Sequence, residues 1–173
     1  VKKYYRHNDM NHLAELLRKS NRLTKKIIVS ESIFSMDGDI CELKDLVSLK
    51  KEFNATLIID EAHALGIFGV GGGGLSLDER RLNPGLIADI DFRVFTAGKS
   101  LGLEGAFIAT TSQSKDYLVN KMRPFIFSTA PMPAIAFAIH TSITIARKMD
   151  SERISIIANA FYLKHALQEK GFE

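Results

Sequence analysis

The sequence lacks most of the features that mark secreted, membrane-spanning or nucleic-acid-binding proteins. Its one cysteine, Cys41, excludes an internal disulfide and fits a reducing compartment such as the cytoplasm. No signal peptide opens the chain, because residues 1–6 are polar and run directly into a helical pattern. The longest apolar stretch, 134–146, is interrupted by polar residues and falls short of the roughly 18 apolar residues of a membrane span. We therefore expect a soluble, cytoplasmic protein with no membrane partner.

The charge of the chain is also small. The formal net charge is +3, with 23 Lys and Arg mixed among 20 Asp and Glu, which argues against a nucleic-acid surface. A length of 173 residues with 46% hydrophobic content allows one domain with a proper core, or one domain and a piece of another. The chain begins without methionine and stops at Gly171-Phe-Glu173, just after a helical pattern. We expect it to be a partial chain.

Strand and helix patterns alternate in the first part of the chain, and helices dominate the last part. This order predicts an α/β domain with a mostly parallel sheet and flanking helices. The glycine-rich segment 67–74 is predicted to be a loop, 83–85 a turn, and 124–133, with its three prolines, irregular. Strands are predicted at 27–29, 57–59, 92–95 and 105–109, and helices after Asp9, around 43–53, over 115–122, from 134 onwards and over 152–169.

Two of the predicted strands end beside residues that can carry chemistry. The apolar run Leu57–Ile59 is typical of a strand buried on both faces, and it ends at Asp60, with His63 close behind. Lys99 follows the next strand, 92–95. In open α/β sheets, ligands bind outside the carboxyl ends of the strands. A carboxylate, an imidazole and an amine at one edge of a sheet can hold a cofactor.

The segment Asp60-Glu-Ala-His63 permits two interpretations. One is the acidic box of a nucleotide-driven helicase, with Gly98-Lys99-Ser100 as its phosphate loop. A phosphate loop needs a glycine five positions before its Gly-Lys pair, but Arg93 occupies that position, and the two motifs stand in the wrong order. The other is a pyridoxal-phosphate (PLP) enzyme, in which a carboxylate at a strand end keeps the pyridine nitrogen protonated and a later lysine binds the aldehyde.

Four segments favour the second interpretation, because they occur in the order and at the spacing of one family. They are 34–39, 60–66, 96–99 and 127–131. The sequence resembles the α-oxoamine synthases through most of its length. This resemblance implies the central part of the large domain of a fold-type-I PLP-dependent transferase over 1–150. The helix of 151–173 would then lead towards a C-terminal domain outside this chain.

The resemblance also implies roles for residues around the cofactor ring. Lys99 would bind the aldehyde and later move the α-proton of the substrate. Asp60 would pair with the pyridine nitrogen. His63 would form a hydrogen bond to the phenolic oxygen of the ring, with Ser35 close by. The other four histidines, far from these motifs, are expected to be structural or solvated.

The phosphate of the cofactor would be held by hydroxyl groups from two subunits. Thr96 would bind it from the same chain, and Ser128 or Thr129 would reach it from the partner subunit of a homodimer. Two positions depart from the family pattern: Ala97 replaces a common aromatic residue, and 71–74 contains only glycine where a charged residue is usual. These departures bear on specificity rather than on the cofactor.

The implied activity is the condensation of an amino acid with an acyl-CoA or acyl-carrier-protein thioester, with loss of carbon dioxide. Met36-Asp-Gly-Asp39 favours the 8-amino-7-oxononanoate synthase branch of biotin synthesis, whose substrates are L-alanine and a pimeloyl thioester. Three other activities of the resembled family remain alternatives: those of serine palmitoyltransferase, aminolevulinate synthase and 2-amino-3-ketobutyrate ligase. A non-catalytic scaffold subunit is a further alternative, against which the presence of Lys99 argues. The fragment alone is expected to be inactive.

Overall fold

The computed structural model describes residues 1–21, 24–79 and 84–172. The predicted alternation of strands and helices is present. Three short 3-10 helices, Val70–Gly72, Leu75–Leu77 and Pro84–Asp89, lie between the second and third strands. The main elements are α1 (Met10–Arg18), β1 (Lys26–Glu31), α2 (Leu43–Glu52), β2 (Ala55–Asp60), β3 (Phe92–Thr96), β4 (Ala106–Thr110), α3 (Ser112–Lys121), α4 (Arg123–Ile126), α5 (Pro133–Ala146) and α6 (Asp150–Gln168).

The four strands form one sheet in the order β1-β2-β3-β4. β1 pairs with β2 and β2 with β3 in parallel, whereas β3 and β4 pair antiparallel. Asp60 is in register with Glu31 on one side and with Val94 on the other. Because parallel strands end at the same edge, the carboxyl ends of β1, β2 and β3 meet there. This edge positions the candidate site.

The core lies between β2 and the helices that cover the sheet. Leu57 and Ile59 of β2 are fully buried, as are Leu46 and Val47 of α2. Ile58, which points to the other face, is half-buried. The prediction that β2 is buried on both faces is therefore correct for one face only. Alternate burial is the pattern of a strand whose second face is partly open to solvent.

Helix ends follow local chemistry that is readable in the sequence. The Asp9 carboxylate accepts a hydrogen bond from the backbone N–H of His12 and caps α1. Thr111 caps α3 through Ser114 in the same way, so this helix begins at Ser112, three residues earlier than predicted. α2 ends before Asn54, whose φ of 47° is left-handed and stops the helix.

The predicted short strand at 105–109 is present as β4, and it pairs antiparallel because the tight connection after β3 reverses the chain. Two other predictions need correction. Within the predicted irregular segment 124–133, residues 123–126 form α4, since a proline is tolerated in the first turn of a helix. The loop 67–74 contains a single 3-10 turn at Val70–Gly72, and Leu65 pairs with Gly73. The loop is therefore folded back on itself rather than open.

Two other predictions are only partly addressed by the structure. Of the predicted turn 83–85, Asn83 lies outside the described residues, and the residues from Pro84 onwards form a 3-10 helix. α6 begins at Asp150, next to the predicted domain boundary at 150/151, and the boundary stays a prediction. In the three described ranges, no helix has both the length and the apolar character needed to cross a bilayer.

Candidate active site

Five of the predicted site residues lie at or just beyond the carboxyl ends of β1, β2 and β3, namely Ser35, Asp60, His63, Thr96 and Lys99. Asp60 is the last residue of β2. β3 ends at Thr96, and the turn that joins it to β4 carries Lys99. This turn is held by two backbone hydrogen bonds, from the N–H of Ala97 to the carbonyl of Gly105 and from the N–H of Leu103 to the carbonyl of Ala97, both 2.9 Å. Lys99 therefore lies in a short turn that backbone hydrogen bonds stabilise, and not in a long loop.

His63 and Lys99 meet at this edge. The Lys99 Nζ atom lies 2.6 Å from the His63 Nε2 atom. Lys99 is exposed and His63 is half-buried. An ammonium group can donate to Nε2 when that nitrogen carries no proton, so the contact requires the tautomer with the proton on Nδ1, or a neutral lysine accepting from Nε2. Either state makes the pair suited to proton transfer.

Asp60 is fixed by its neighbours but keeps one oxygen available. Its Oδ1 atom accepts a hydrogen bond from the N–H of Ala62, 2.8 Å away. Its backbone carbonyl accepts from Ser32, both from the N–H at 2.8 Å and from Oγ at 3.0 Å. Among the described residues, none donates to Oδ2, and none leaves a buried side-chain oxygen unpaired. Oδ2 therefore reaches solvent and can accept a hydrogen bond from a ligand.

Ser35 lies beyond the end of β1, at the same edge. Its backbone N–H donates to the Glu31 Oε2 atom at 3.1 Å, and its side chain is exposed. The turn that carries it is closed by a bond from the N–H of Gly38 to the carbonyl of Phe34, 2.8 Å. His7 contacts the Asp39 carboxylate at 2.9 Å and ties this turn to the N-terminal segment. That contact agrees with the structural role expected for His7.

Thr96 and the pair Ser128 and Thr129 differ in their surroundings. The Thr96 hydroxyl accepts from the N–H of Gly98 at 3.3 Å and donates to the carbonyl of Gly105 at 3.4 Å, so it braces the lysine turn. Ser128 and Thr129 follow α4 and are exposed. Neither hydroxyl forms a hydrogen bond within the described part of the chain. The roles of all three in phosphate binding remain predictions.

Sequence reasoning missed Glu61, although it stands inside the motif. Its side chain is completely buried, at 0% exposure. Its carboxylate accepts hydrogen bonds from the N–H groups of Leu75 at 2.8 Å and Ser76 at 2.9 Å. The sequence did contain a signal for this role. An acidic residue directly follows a buried strand and precedes a glycine-rich segment whose backbone N–H groups need hydrogen-bond acceptors. Only the folded chain identifies which amides it caps.

Sequence reasoning also missed the contact between the two loops of the site. The Ser100 Oγ atom donates to the carbonyl of Leu65 at 2.6 Å. A Cβ atom built at Gly66, whose φ is 82°, would lie 2.7 Å from Ser100 Oγ. The loop after β2 and the loop after β3 therefore touch closely, next to His63 and Lys99. Glycine at position 66 is required both by its backbone conformation and by this approach.

This set of groups suits PLP. An accessible carboxylate oxygen can hold a protonated pyridine nitrogen, a primary amine can react with an aldehyde, and an imidazole can donate to a phenolic oxygen. Asp60, Lys99 and His63 supply these groups at one edge of the sheet. Hydroxyl groups for a phosphate are present on Thr96 in the same turn. No group in this set conflicts with the cofactor.

The P-loop alternative does not fit this geometry. In a phosphate loop the Gly-Lys-Ser sequence opens a helix. Here the chain turns between Lys99 and Gly102, through a hydrogen bond of 3.0 Å from the N–H of Gly102 to the carbonyl of Lys99, and enters β4. The comparison with protein families agrees, since the model of the aminotransferase class I and II family matches residues 1–173. The chain belongs to the aminotransferase class I and II family.

Two curated proteins similar to this chain carry the same provisional name. The chain is 42% identical over 171 residues to a Bacillus cereus (strain B4264) protein provisionally named 8-amino-7-oxononanoate synthase, covering 99% of this chain and 42% of that protein. A Bacillus anthracis protein with the same provisional name is 43% identical over 170 residues, covering 98% of this chain and 42% of its own length. The chain thus spans about two fifths of the length of these curated relatives.

Solved structures of the family have the same fold. Serine palmitoyltransferase of Sphingomonas wittichii superposes with a TM-score of 0.89 at 30% identity, covering 98% of this chain and 41% of that one. An 8-amino-7-oxononanoate synthase of Francisella tularensis superposes with a TM-score of 0.78 at 26% identity, covering 99% of this chain and 48% of that one. Another similar structure is a serine palmitoyltransferase that holds PLP. The predicted fold class and the resemblance to the α-oxoamine synthases are confirmed.

Proposed function

We propose that the protein carrying this chain is a PLP-dependent acyltransferase of the α-oxoamine synthase type. The observation that carries the proposal is the contact between Lys99 Nζ and His63 Nε2, 2.6 Å, at the sheet edge where Asp60 also ends its strand. PLP, when bound, supplies an electron sink for a carbanion at the α-carbon of an amino acid. The remaining chemistry falls to side chains of this chain.

Each side chain has a distinct task in this proposal. Asp60 Oδ2 would accept a hydrogen bond from the protonated ring nitrogen and would stabilise its positive charge. A hydrogen bond to a charged group contributes about 1.5 to 3 kcal/mol net, enough to bias protonation near neutral pH. Lys99 binds the cofactor and takes the α-proton of the substrate. General-base steps of this kind typically contribute about 10²- to 10⁴-fold to the rate.

The other proposed contacts orient the cofactor. His63 donates to the phenolic oxygen, with Ser35 beside it at the end of β1. Thr96 holds the phosphate from within the chain. Ser128 and Thr129 are exposed and form no hydrogen bond with any of the residues that the structure describes, which supports their use by a partner subunit in a homodimer. The buried, single Cys41 supports a reducing compartment, and we assign the enzyme to the cytoplasm.

The substrates we propose are L-alanine and a pimeloyl thioester, bound to CoA or to an acyl carrier protein. The curated relatives at 42% and 43% identity, with their provisional name of 8-amino-7-oxononanoate synthase, support this assignment. Serine and a long-chain acyl-CoA form the second candidate pair. A specific observation favours it, namely the TM-score of 0.89 to a serine palmitoyltransferase against 0.78 to an 8-amino-7-oxononanoate synthase.

Borohydride reduction tests the role of Lys99. The protein that carries this chain is incubated with PLP, reduced, digested and analysed by mass spectrometry. We expect the reduced cofactor on Lys99 and on no other lysine. Lys99→Arg should abolish the adduct, whereas Lys115→Arg, at an exposed position on α3, should retain it. An adduct on another lysine, or none in the wild type, would overturn the proposal.

Release of the free CoA thiol tests the substrates. L-alanine with pimeloyl-CoA is compared with serine and palmitoyl-CoA, glycine and succinyl-CoA, and glycine and acetyl-CoA. We expect the highest kcat/KM for L-alanine with pimeloyl-CoA. A higher value for serine with palmitoyl-CoA would replace the first substrate assignment by the second and would leave the PLP chemistry intact.

A further inference from the structure

Glu61 is a buried acidic residue that the proposed chemistry does not use. Its side chain is 0% exposed, and each carboxylate oxygen has its own partner. Oε2 accepts from the N–H of Leu75 and Oε1 from the N–H of Ser76, at 2.8 and 2.9 Å. These two amides open the 3-10 helix Leu75–Leu77. A buried carboxylate is costly unless both oxygens are satisfied, and here the backbone satisfies them.

The glycine segment 69–74 closes over this carboxylate. Gly74 has a φ of 104°, and a Cβ atom built there would lie 2.9 Å from the carboxyl carbon of Glu61. The N–H of Gly74 donates to the carbonyl of Phe68 at 2.9 Å. Position 74 must therefore be glycine both for its backbone conformation and for its approach to Glu61. The carboxylate and the glycine segment form one packed unit.

The same segment is connected to the lysine turn. The N–H of Gly66 donates to the carbonyl of Gly72 at 2.7 Å, which joins the start of the loop to its glycine-rich part. The next link is Ser100 Oγ, which donates to the carbonyl of Leu65 at 2.6 Å. Ser100 is the neighbour of Lys99. Three sets of hydrogen bonds, joined by the backbone at 72–75 and at 65–66, therefore connect Glu61 through the glycine segment to the residue beside the lysine.

We propose that Glu61 is a positioning residue that sets the location of Lys99 through the glycine segment and Ser100. Its carboxylate fixes the end of the loop at Leu75 and Ser76, and the loop in turn fixes the lysine turn opposite His63. The consequence for catalysis rests on the proposed function. The mechanical coupling between Glu61 and the lysine turn does not, and it is measurable without any cofactor.

Amide hydrogen exchange of the cofactor-free protein tests the coupling. Glu61→Gln keeps the shape of the side chain but removes its charge and turns an NH₂ group towards one of the two backbone N–H groups. We expect the amides of Leu75 and Ser76 to exchange about tenfold faster or more, because a charge-assisted hydrogen bond is lost. Peptides covering 97–103 should exchange faster as well, and those covering β1 should not change. If the amides of 75–76 exchange faster while those of 97–103 exchange at the wild-type rate, Glu61 has a purely local role and the proposal is overturned.

Two further variants keep the test decisive if Glu61→Gln does not fold. Ser100→Ala removes the hydrogen bond to the carbonyl of Leu65. Peptides covering 97–103 should therefore exchange faster, while the amides of Leu75 and Ser76 keep their protection. Gly74→Ala pushes a methyl group against Glu61 and should loosen both regions. Its matched control is Gly171→Ala, at a φ of 82° with no atom within 4 Å of the added carbon. If Gly74→Ala loosens only the glycine segment, or Ser100→Ala leaves 97–103 protected, these hydrogen bonds do not carry the coupling.

Kinetics of the PLP-loaded protein test the consequence for Lys99. In Glu61→Gln we expect kcat to fall about tenfold while KM for the amino acid changes less than about twofold, because the proton transfer is affected and substrate binding is not. A fall that merely matches a lower folded fraction, measured by circular dichroism of the cofactor-free protein, would contradict positioning. Failure of the wild type to bind PLP would overturn the proposed function instead, and the exchange result would still stand.

Discussion

The Nζ atom of Lys99 lies 2.6 Å from the Nε2 atom of His63, although 36 positions separate the two residues along the chain. Neighbouring parallel strands produce this contact, since β2 and β3 end at one edge and each is followed by a short loop. The pair joins a nucleophilic amine to a group able to exchange a proton with it.

His63→Ala should slow turnover without preventing attachment of PLP. The variant removes the Nε2 partner of Lys99 and the proposed donor to the phenolic oxygen, and losses of about 10²-fold are typical for such groups. Steady-state kinetics and borohydride labelling of Lys99 are measured on the same preparation. His165→Ala, on exposed α6, is the control and should retain activity. Equal activity in the two variants would exclude His63 from the reaction.

Asp60→Asn should retain the bond between PLP and Lys99 but lose turnover by about 10²-fold or more. The amide can still accept from the N–H of Ala62, so the local fold is kept, but it cannot stabilise a protonated ring nitrogen as a carboxylate does. Turnover and the visible absorbance band are measured together. Asp116→Asn, on exposed α3, provides the control. Near-normal turnover of Asp60→Asn would exclude a role for Asp60 in ring protonation.

Gly66→Ala should destabilise the protein by about 1 to 3 kcal/mol, because the new methyl group meets Ser100 and the residue has a left-handed conformation. Thermal or urea unfolding measures the effect. Gly102→Ala is the matched control, since Gly102 lies in the same turn as Ser100 and has a positive φ of 66°, like Gly66, but has no atom within 4 Å of the added carbon. Combining Gly66→Ala with Ser100→Gly should recover the steric part of the loss. Equal losses in both single variants would show that the contact with Ser100 is unimportant.

Mixed dimers test whether Ser128 and Thr129 serve the neighbouring subunit. Lys99→Ala protein and Ser128→Ala/Thr129→Ala protein should each have little activity at low PLP concentration. After unfolding and refolding together, statistical mixing should restore about a quarter of the wild-type activity, because half of the dimers are mixed and each holds one intact site. No recovery would mean that the hydroxyl groups act within their own chain, and full activity of the Ser128→Ala/Thr129→Ala protein before mixing would mean that they have no role in binding phosphate.

Cys41 should make stability fall at high pH. Burial raises the pKa of its thiol to about 12. The unfolded thiol has a pKa near 8.5, so between these values the unfolded chain loses the proton and the folded chain keeps it. Stability is therefore complete below about pH 8.5 and decreases as the pH rises, by roughly 1 to 2 kcal/mol at pH 10.

Urea unfolding at pH 8 and at pH 10 measures this loss, with Cys41→Ala as the reference. The pH-dependent decrease should be smaller in the variant by the stated amount, because all other titrating groups are shared. The buried thiol should also resist alkylation in the folded protein at pH 9. A loss with pH that is the same in both proteins would contradict the shifted pKa.

The sequence alone determined the local structure and the order of the motifs. Hydrophobic periodicity identified the four strands, and capping residues such as Asp9 located a helix start to within one residue. These features depend on residues that are close together in the chain, so the sequence is sufficient to predict them. The motif residues Asp60, His63 and Lys99 were also identified there, because their positions at strand ends follow from the rule for parallel sheets.

Only the tertiary structure decided how the loops of the site hold one another. Which backbone amides Glu61 caps, and that Ser100 reaches Leu65, depend on the path of a glycine-rich loop, and glycine leaves that path open in the sequence. The antiparallel pairing of β4 was likewise set by the turn that carries Lys99, not by the strand residues. Long-range contacts of this kind arise when the strands pack, because packing alone fixes the distances between residues far apart in the chain.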